Sequence, residues 1–480
     1  MKVLLQVVVG MFLIAQAGYS QHFQGIHGSA YAGSLGTGAN PASIVFTPYA
    51  WDVTLMGGQY KTLTNAFTTE KYPLFRVDTS GYLMKSGNFK RMANGHFHVH
   101  LLNARISMTS RKAIAFGLNL RGYLNGTTSP FGFTDTTSTL RSFFSQNDGL
   151  LRANGNIVNS TWLEAFGSYG FTVFDRVASR LHAGVTLKLN KGLAGGYLDF
   201  ENVSVRADDN VVNDFVIDEA TIEFGYSATA DELDADKGSG NNFSSLVKDA
   251  EIGFSADLGI EYVIKTEEIT DVYNDEADYS YVWKFGMSLL DLGWSNYRYS
   301  ANSRSIAHPL PGVNSTRLTN AFNGISTFPE FNDRLDSLVQ ESDPVTGTFR
   351  ILHPARLIVN ADRHISENFF VNGEVTLPLS SLAGKNRLHV TDMGLVTITP
   401  RWETLKWGVY VPFQVSRDGQ FMAGLAFKAG PLLLGFHNLG NIVGKNRNVN
   451  GGGYLALVIR SRNGAVNGTG RGIDCPVVKY

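Results

Sequence analysis

From Leu181 to Asn190 the chain alternates residue by residue between apolar and polar side chains. Leu181, Ala183, Val185, Leu187 and Leu189 share one parity, and His182, Gly184, Thr186, Lys188 and Asn190 share the other. A period of two predicts a strand with one apolar and one polar face. The pattern recurs in blocks of roughly ten residues, the spacing expected of strands that cross a bilayer. Trp51–Tyr60 opens the series, and His96–Met108 and Ala113–Leu124 form a pair about the turn Thr109–Lys112. In the second of these, Ile114, Phe116, Leu118, Leu120 and Leu124 oppose Asn119 and Arg121. Leu163–Val173 and Leu181–Leu189 follow, then Phe215–Tyr226 with a weaker pattern. Ile252, Phe254, Ala256, Leu258, Ile260 and Tyr262 alternate with Ser255, Asp257 and Glu261, and Tyr281–Leu289 comes next.

Spacing tightens toward the C-terminus. Leu357–Ala361 and Phe369–Leu377 flank a short turn, as do Leu395–Trp402 and Trp407–Val415. Asp418-Gly419 is a hairpin signal, Gly430-Pro431 punctuates the next turn, and Tyr454–Arg460 is the last strand. The expected fold is all-β: a transmembrane antiparallel barrel of about 14 strands, with 16 as the alternative. A soluble two-sheet sandwich also alternates. The number of long blocks, the aromatics near their ends (Tyr60, Trp162, Trp283, Trp402, Trp407) and an export signal argue against it.

Short turns alternate with long polar excursions at 61–95, 125–160 and 303–353, which are expected to face outward. The segment 229–249 conflicts with this, being long yet on the expected periplasmic side; its acidic run 231–236 extends a loop or starts a helix. Phe328–Gln340 reads as a short amphipathic helix that caps or plugs the barrel, with Phe331, Leu335 and Leu338 on one face.

Residues 1–20 read as a secretory signal peptide: Lys2, an apolar run from Val3 to Ala17, and small residues before Gln21. The run is too short for a spanning helix, and no later segment reaches eighteen consecutive apolar residues. Expected boundaries are 1–20 signal peptide, 21–50 hatch or periplasmic segment, 51–460 barrel and 461–480 periplasmic tail. With 41 basic and 42 acidic residues and no basic block, nucleic acid is excluded as a partner. Aromatics at 12% and 51 glycines fit interfacial girdles and a close-packed wall. Cys475 is the single cysteine, so no intrachain disulfide can form.

His96, His98 and His100 share one strand face about 7 Å apart, from the rise of ~3.4 Å per residue. They are weak candidates for a metal; a polar lumen wall is the much favoured reading, and no cofactor is assigned. After Leu101-Leu102 the parity slips, placing Arg105 and Ser107 where lipid-facing residues belong; a β-bulge or the membrane boundary accounts for the slip. Gly33–Gly38 has the outline of a phosphate loop but lacks the flanking strand and helix. His308 and His364 lie near acidic or hydroxyl groups without a nucleophile motif, so no enzyme is expected. Asp257, Glu261, Lys284, Asn372 and Glu374 oppose the apolar parity and are expected to line the lumen. There they tune selectivity or simply solvate the wall.

Asn40-Pro41-Ala42, between the signal peptide and the first strand, resembles the FadL-type outer-membrane transporters of hydrophobic compounds and their Bacteroidetes relatives. The runs 253–259 (Gly-Phe-Ser-Ala-Asp-Leu-Gly), 288–294 (Ser-Leu-Leu-Asp-Leu-Gly-Trp) and 399–402 (Thr-Pro-Arg-Trp) resemble an uncharacterised Bacteroidetes family among those relatives. The resemblance implies a hatch inside the barrel containing Asn40, Pro41 and Ala42; a turn that merely starts the first strand is the alternative. It also implies an outer-membrane location in contact with lipid and passive transport of a hydrophobic or amphipathic small molecule. The alternative is a non-catalytic scaffold that binds an exported protein or a type IX secretion component.

Overall fold

The computed structural model describes residues 23–70, 81–149, 152–232, 239–266, 280–325, 327–384, 387–440 and 450–461. The expected signal peptide and all but the first residue of the expected tail lie outside the described residues.

One sheet holds twenty strand segments. In chain order they are β1 (Trp51–Thr64), β2 (Met92–Thr109), β3 (Lys112–Thr128), β4 (Ala153–Asp175) and β5 (Ser179–Ala207). Next come β6 (Phe215–Tyr226), β7 (Glu251–Lys265), β8 (Tyr281–Arg298), β9 (Arg304–Pro309) and β10 (Val339–Pro344). β11 (Thr348–Leu352), β12 (Arg356–Ser366), β13 (Phe369–Pro378) and β14 (Leu395–Glu403) follow. The last are β15 (Trp407–Tyr410), β16 (Phe413–Ser416), β17 (Phe421–Ala423), β18 (Leu425–Ala429), β19 (Leu432–Phe436) and β20 (Gly451–Arg460). β1 pairs antiparallel with both β2 and β20, which closes the ring. The result is a closed antiparallel barrel of fourteen crossings, with β15–β16 and β17–β18 each forming one interrupted crossing.

Alternation decides which way each side chain points. Leu187, Phe254, Leu258, Ile260, Met287, Val396 and Ile398 are exposed on the outside, while Lys188, Asp257, Glu261, Ser288 and Thr397 are buried inside. An apolar exterior around a polar, buried interior is the inverse of a water-soluble protein and the expected solution for a sheet in lipid. No helix among the described residues is long and apolar enough to cross a membrane. The parity slip in β2 is a bulge: the register with β3 shifts between His100 and Leu102. Leu101 and Leu102 therefore both face outward, and Asn103, Arg105 and Ser107 return to the interior.

Three expectations are corrected. The weakly patterned β6 is not a crossing. It turns back from the top of β5, pairing Phe215 with Ala207 and Tyr226 with Gly196, while β7 pairs with the lower part of the same strand. β6 and β7 thus run in the same direction, and the described residues 227–232 and 239–250 lie at the outer, long-loop end, which removes the conflict. It carries a 3₁₀ turn at Ala228–Glu232 and helix α1 (Ser239–Lys248). The helix expected within 303–353 to cap or plug the barrel belongs instead to an outer sheet: β9 and β10 extend the β5–β6 sheet, and β11 continues β12 upward beside the top of β8. The amphipathic helix there, α2 (Phe328–Asp336), sets Phe331 edge-on to Phe224 of that outer sheet and beside Phe322, which follows the helix Ser315–Ala321. Trp162, counted above as a boundary aromatic, points inward and is fully buried, on the unbroken inward parity of β4 that also holds Ser160, Glu164 and Ser168.

Candidate functional site

The interior of the ring is filled in three layers. The innermost is the chain's own segment before β1. Residues 23–50 run inside the barrel as short 3₁₀ turns at Gln24–Ile26, Gly33–Gly38 and Pro41–Ile44, with nearly every side chain buried. Short polar links seat it. Gln24 Nε2 donates to Thr397 Oγ1 at 3.1 Å, and Lys61 Nζ donates to Gln24 Oε1 at 2.8 Å. His27 Nδ1 meets Glu374 Oε2 at 2.9 Å, and Ser29 Oγ donates to Glu403 Oε2 at 2.7 Å. Arg105 donates to the carbonyls of Ile44 (2.6 Å) and Tyr49 (2.7 Å), so the bulge in β2 supplies the clamp.

Asn40, Pro41 and Ala42 sit at the centre of this segment. Asn40 caps the third turn, its Oδ1 accepting from Ala42 N at 2.9 Å, and its Nδ2 donates to the carbonyl of Ile260 at 2.9 Å. Proline suits this place because the first position of such a turn needs no donor. The wall makes room with glycine. A Cβ on Gly184 would stand 2.4 Å from the carbonyl carbon of Pro41, and one on Gly259 would stand 2.1 Å from Asn40 Oδ1. Gly184 and Gly259 are direct partners in the β5–β7 register, so together they form a notch two strands wide.

Above the segment lies a septum of charge. Asp291 sits in a bulge of β8, where the register with β7 shifts between Ala256 and Leu258 and its backbone is left-handed (φ 58°). That geometry turns the carboxylate inward. Arg121 grips it through two nitrogens at 2.6 Å each, Lys188 reaches it at 2.7 Å, and Arg356 also bonds to it. The cations are shared with Glu164 (2.9 Å from Arg121), Asp257 (2.7 Å from Lys188) and Asp392 (3.2 Å from Arg356). A second cluster, sharing β12 with the first, joins Arg401 to Asp362 at 2.6 and 2.7 Å and to Glu403 at 2.7 Å.

The third layer is the connection between β13 and β14, which folds inward. Leu352 bridges to His389, Asn125 exchanges two hydrogen bonds with Thr391, and Asp392 reaches Arg356 and His96. Val390 completes an aromatic roof with Tyr123, Trp162, Tyr197, Tyr297 and Phe349, and Met393 packs with Leu63, Leu395 and Met422. The space left between the first two layers is about 30 Å³, lined by Phe23, His27, Leu35, His100, Asn119 and Lys188 among others. That holds a water or two, against ~300–1,000 Å³ for a pocket that takes a small molecule. A larger groove of about 360 Å³ lies on the lipid side between β7, β8, β12 and β13. It is lined by Ile260, Tyr262, Phe285, Met287 and Val359, with Asn360 and Gly286 in its floor.

The five residues expected at the lumen wall are all buried there. Lys284 pairs with Glu261 at 3.5 Å, Asp257 belongs to the septum, Glu374 holds His27, and Asn372 faces Gly28. The three histidines are buried in the interior but do not converge. His100 binds Asn119 at 2.9 Å and His98 stacks beside it, while His96 turns to Tyr123 and Asp392. No group of three His, Cys, Asp or Glu among the described residues has the arrangement of a metal site. His308 lies in the outer sheet and His364 at an inner turn, stacked on Phe370. Sequence reasoning missed Arg121, Glu164, Asp291, Arg356, Asp362, Arg401 and Glu403 as members of the site. A usable signal was present: Asp257, Asp291 and Arg401 are the charged residues inside the three short runs quoted for the resemblance.

Ring, lipid-facing exterior and filled lumen define the class: an outer-membrane β-barrel. Residues 41–437 match the model of a family of unknown function, DUF5723, and the chain belongs to that family. None of the curated proteins matches it. Among solved structures it is similar to the toluene transporter TbuX of Ralstonia pickettii, with 11% identity over 89% of this chain and 94% of that one, TM-score 0.41. The toluene transporter TodX of P. putida (10%, covering 89% and 93%, TM-score 0.36) and a Pseudomonas aeruginosa FadL homologue (10%, covering 92% and 98%, TM-score 0.26) are also similar.

Proposed function

We propose that this barrel is a gated passive transporter for a small hydrophobic or amphipathic molecule, with residues 23–50 as a displaceable hatch. One observation carries the reading: the ring is complete, and most of its buried charges are paired within the wall, without the segment that fills it. Arg121, Lys188, Arg356 and Arg401 keep their carboxylates whether or not residues 23–50 are in place. Moving the segment takes His27 from Glu374, Gln24 from Lys61 and two carbonyls from Arg105, while Lys61 keeps Gln414 and Arg105 keeps Asp52, so its departure costs far less than the breaking of the wall. The apolar groove over Gly286 and Asn360 supports a cargo that enters or leaves through lipid, because its lining offers dispersion contacts and little charge.

Ser34 Oγ and Thr54 Oγ1 are 2.9 Å apart, close enough for a paired-cysteine lock. The full chain with Cys475→Ser, Ser34→Cys and Thr54→Cys is to be placed in vesicles and given toluene or a fluorescent fatty acid. Passage in the reduced protein and its loss on oxidation are expected. Equal flux in both states, or none in either, refutes the reading.

A second reading, a scaffold that holds a protein partner at its outer face, is favoured by the height of β5. Its 29 residues far exceed the ~9–11 needed to cross, and the excess forms an ordered sheet above the membrane. Normal flux through a chain lacking β9 and β10, with loss of exported proteins from the cell surface, is the result that favours it.

A further inference from the structure

The apolar band has sharp edges, and one edge carries a chemistry the transport reading does not use. β8 has an outward tryptophan near each end. Arg363 lies over Trp283 at 4.7 Å at the inner end, and Arg350 lies over Trp294 at 4.5 Å at the outer end. The two rings are separated by about 25 Å once the rise per residue and a strand tilt of ~45° are applied, the height of a barrel's apolar band. Trp294 therefore marks the outer boundary. The outward row at its level, Leu189, Phe254, Trp294 and Leu352, is apolar. The next row outward is Lys191, Ile252, Asn296 and Arg350, on four neighbouring strands. Polarity changes within one step.

The cations of that upper row are held without carboxylates. Arg350 Nε donates to Asn296 Oδ1 at 3.2 Å and its guanidinium stacks on Trp294, with no acidic partner among the described residues. Lys191 Nζ donates to the carbonyl of Val247 at 3.0 Å, which fastens the end of α1 against the outer wall. Lys248, the last residue of α1, is exposed, and Phe243 on the same helix leaves 44% of its surface uncovered at the same rim. Only Arg298, one step higher, is neutralised, by Glu251 at 3.0 Å. In the buried lumen of the same protein Arg105, Arg121, Lys188, Lys284, Arg356 and Arg401 all have an acid, which the cations of this rim row lack among the described residues.

We propose that Lys191, Arg350 and Lys248 bind the phosphate of an anionic lipid headgroup in the outer leaflet, with Phe243 and Trp294 set against its acyl chains. The surface is continuous with the lipid-facing band, so its occupant is a lipid, and the positive charge selects one that carries phosphate in excess of amine. Lys191 and Arg350 stand three strand spacings apart, about 14 Å. Their long side chains converge on a group between them, over Ile252 and Asn296. A guanidinium already flattened on an indole is pre-organised for a phosphate and loses little freedom on binding.

The full chain is to be reconstituted in phosphatidylcholine nanodiscs titrated with lipid A or phosphatidylglycerol, with bound lipid read by native mass spectrometry and unfolding by Trp fluorescence. Retained anionic lipid and a raised midpoint are expected for the wild type. Lys191→Gln with Arg350→Gln is expected to weaken retention on the order of 30-fold. Arg363→Gln, at the inner girdle, is expected to leave it unchanged. High salt is expected to abolish the wild-type shift, a check that needs no variant. Inorganic phosphate alone is expected to give no shift. Equal retention in wild type and double variant, insensitivity to salt, or the same shift from inorganic phosphate overturns the proposal.

Discussion

Replacing Asp291 by asparagine removes one charge from the septum and almost nothing else. The shape is kept, and asparagine tolerates the left-handed backbone that the bulge imposes at this residue (φ 58°). Three buried cations lose a partner, yet each retains another acid: Arg121 keeps Glu164, Lys188 keeps Asp257 and Arg356 keeps Asp392. Breaking a buried pair by deleting one member costs about 3–5 kcal/mol. Because no cation is left wholly unpaired, the expected loss is at the low end, about 3 kcal/mol. Alanine adds a left-handed penalty of ~1–2 kcal/mol and should be worse. Urea unfolding from lipid vesicles, followed by tryptophan fluorescence, measures both; Trp162 in the roof above the septum reports on the right place. A loss below about 1 kcal/mol for asparagine, or alanine no worse than asparagine, would show that the septum is not held by this carboxylate.

Gly259→Val drives a side chain into Asn40 and Pro41. The hatch should become open to protease within residues 23–50 while the ring stays folded on unheated gels; continued protection would mean the notch is dispensable. Leu187→Arg places a charge on a side chain 67% exposed to lipid. It should cost about 2–4 kcal/mol in vesicles, whereas no change would put that face in water. Arg401→Lys keeps the charge but loses the two-pronged grip on Asp362 together with the bond to Glu403. A loss of about 2–4 kcal/mol in the same assay is expected, and an unaltered midpoint would show that geometry at this cluster does not matter.

The wall was legible because a strand's period of two is local: Ile252 to Tyr262 needed no tertiary knowledge to be split into lipid-facing and inward-facing sets. Even the slip at Leu101-Leu102 could be read, since a bulge is itself a local event. The count of about 14 crossings held; what failed was the placing of one strand. Phe215–Tyr226 is a strand, as its pattern says, but whether a strand crosses or turns back depends on which neighbour it finds, here the top of β5. Trp162 was misread because an aromatic near a block end was taken for a girdle residue, although it shares the inward parity of Glu164, Phe166 and Ser168. The charged septum was out of reach because its partners are far apart in the chain. Arg121 and Asp291 are separated by 170 positions, and each alone reads as a solvated lumen residue.

β5 is a single strand that reaches from the inner rim to the top of the outer sheet, and on the way it carries Gly184 against Pro41 and Lys188 against Asp291. The part that stands beyond the apolar band is therefore joined, through covalent backbone, to both fillings of the lumen. The inner segment, the charged septum and the outer sheet share one unbroken ribbon, and its neighbour changes from β7 to β6 part way along.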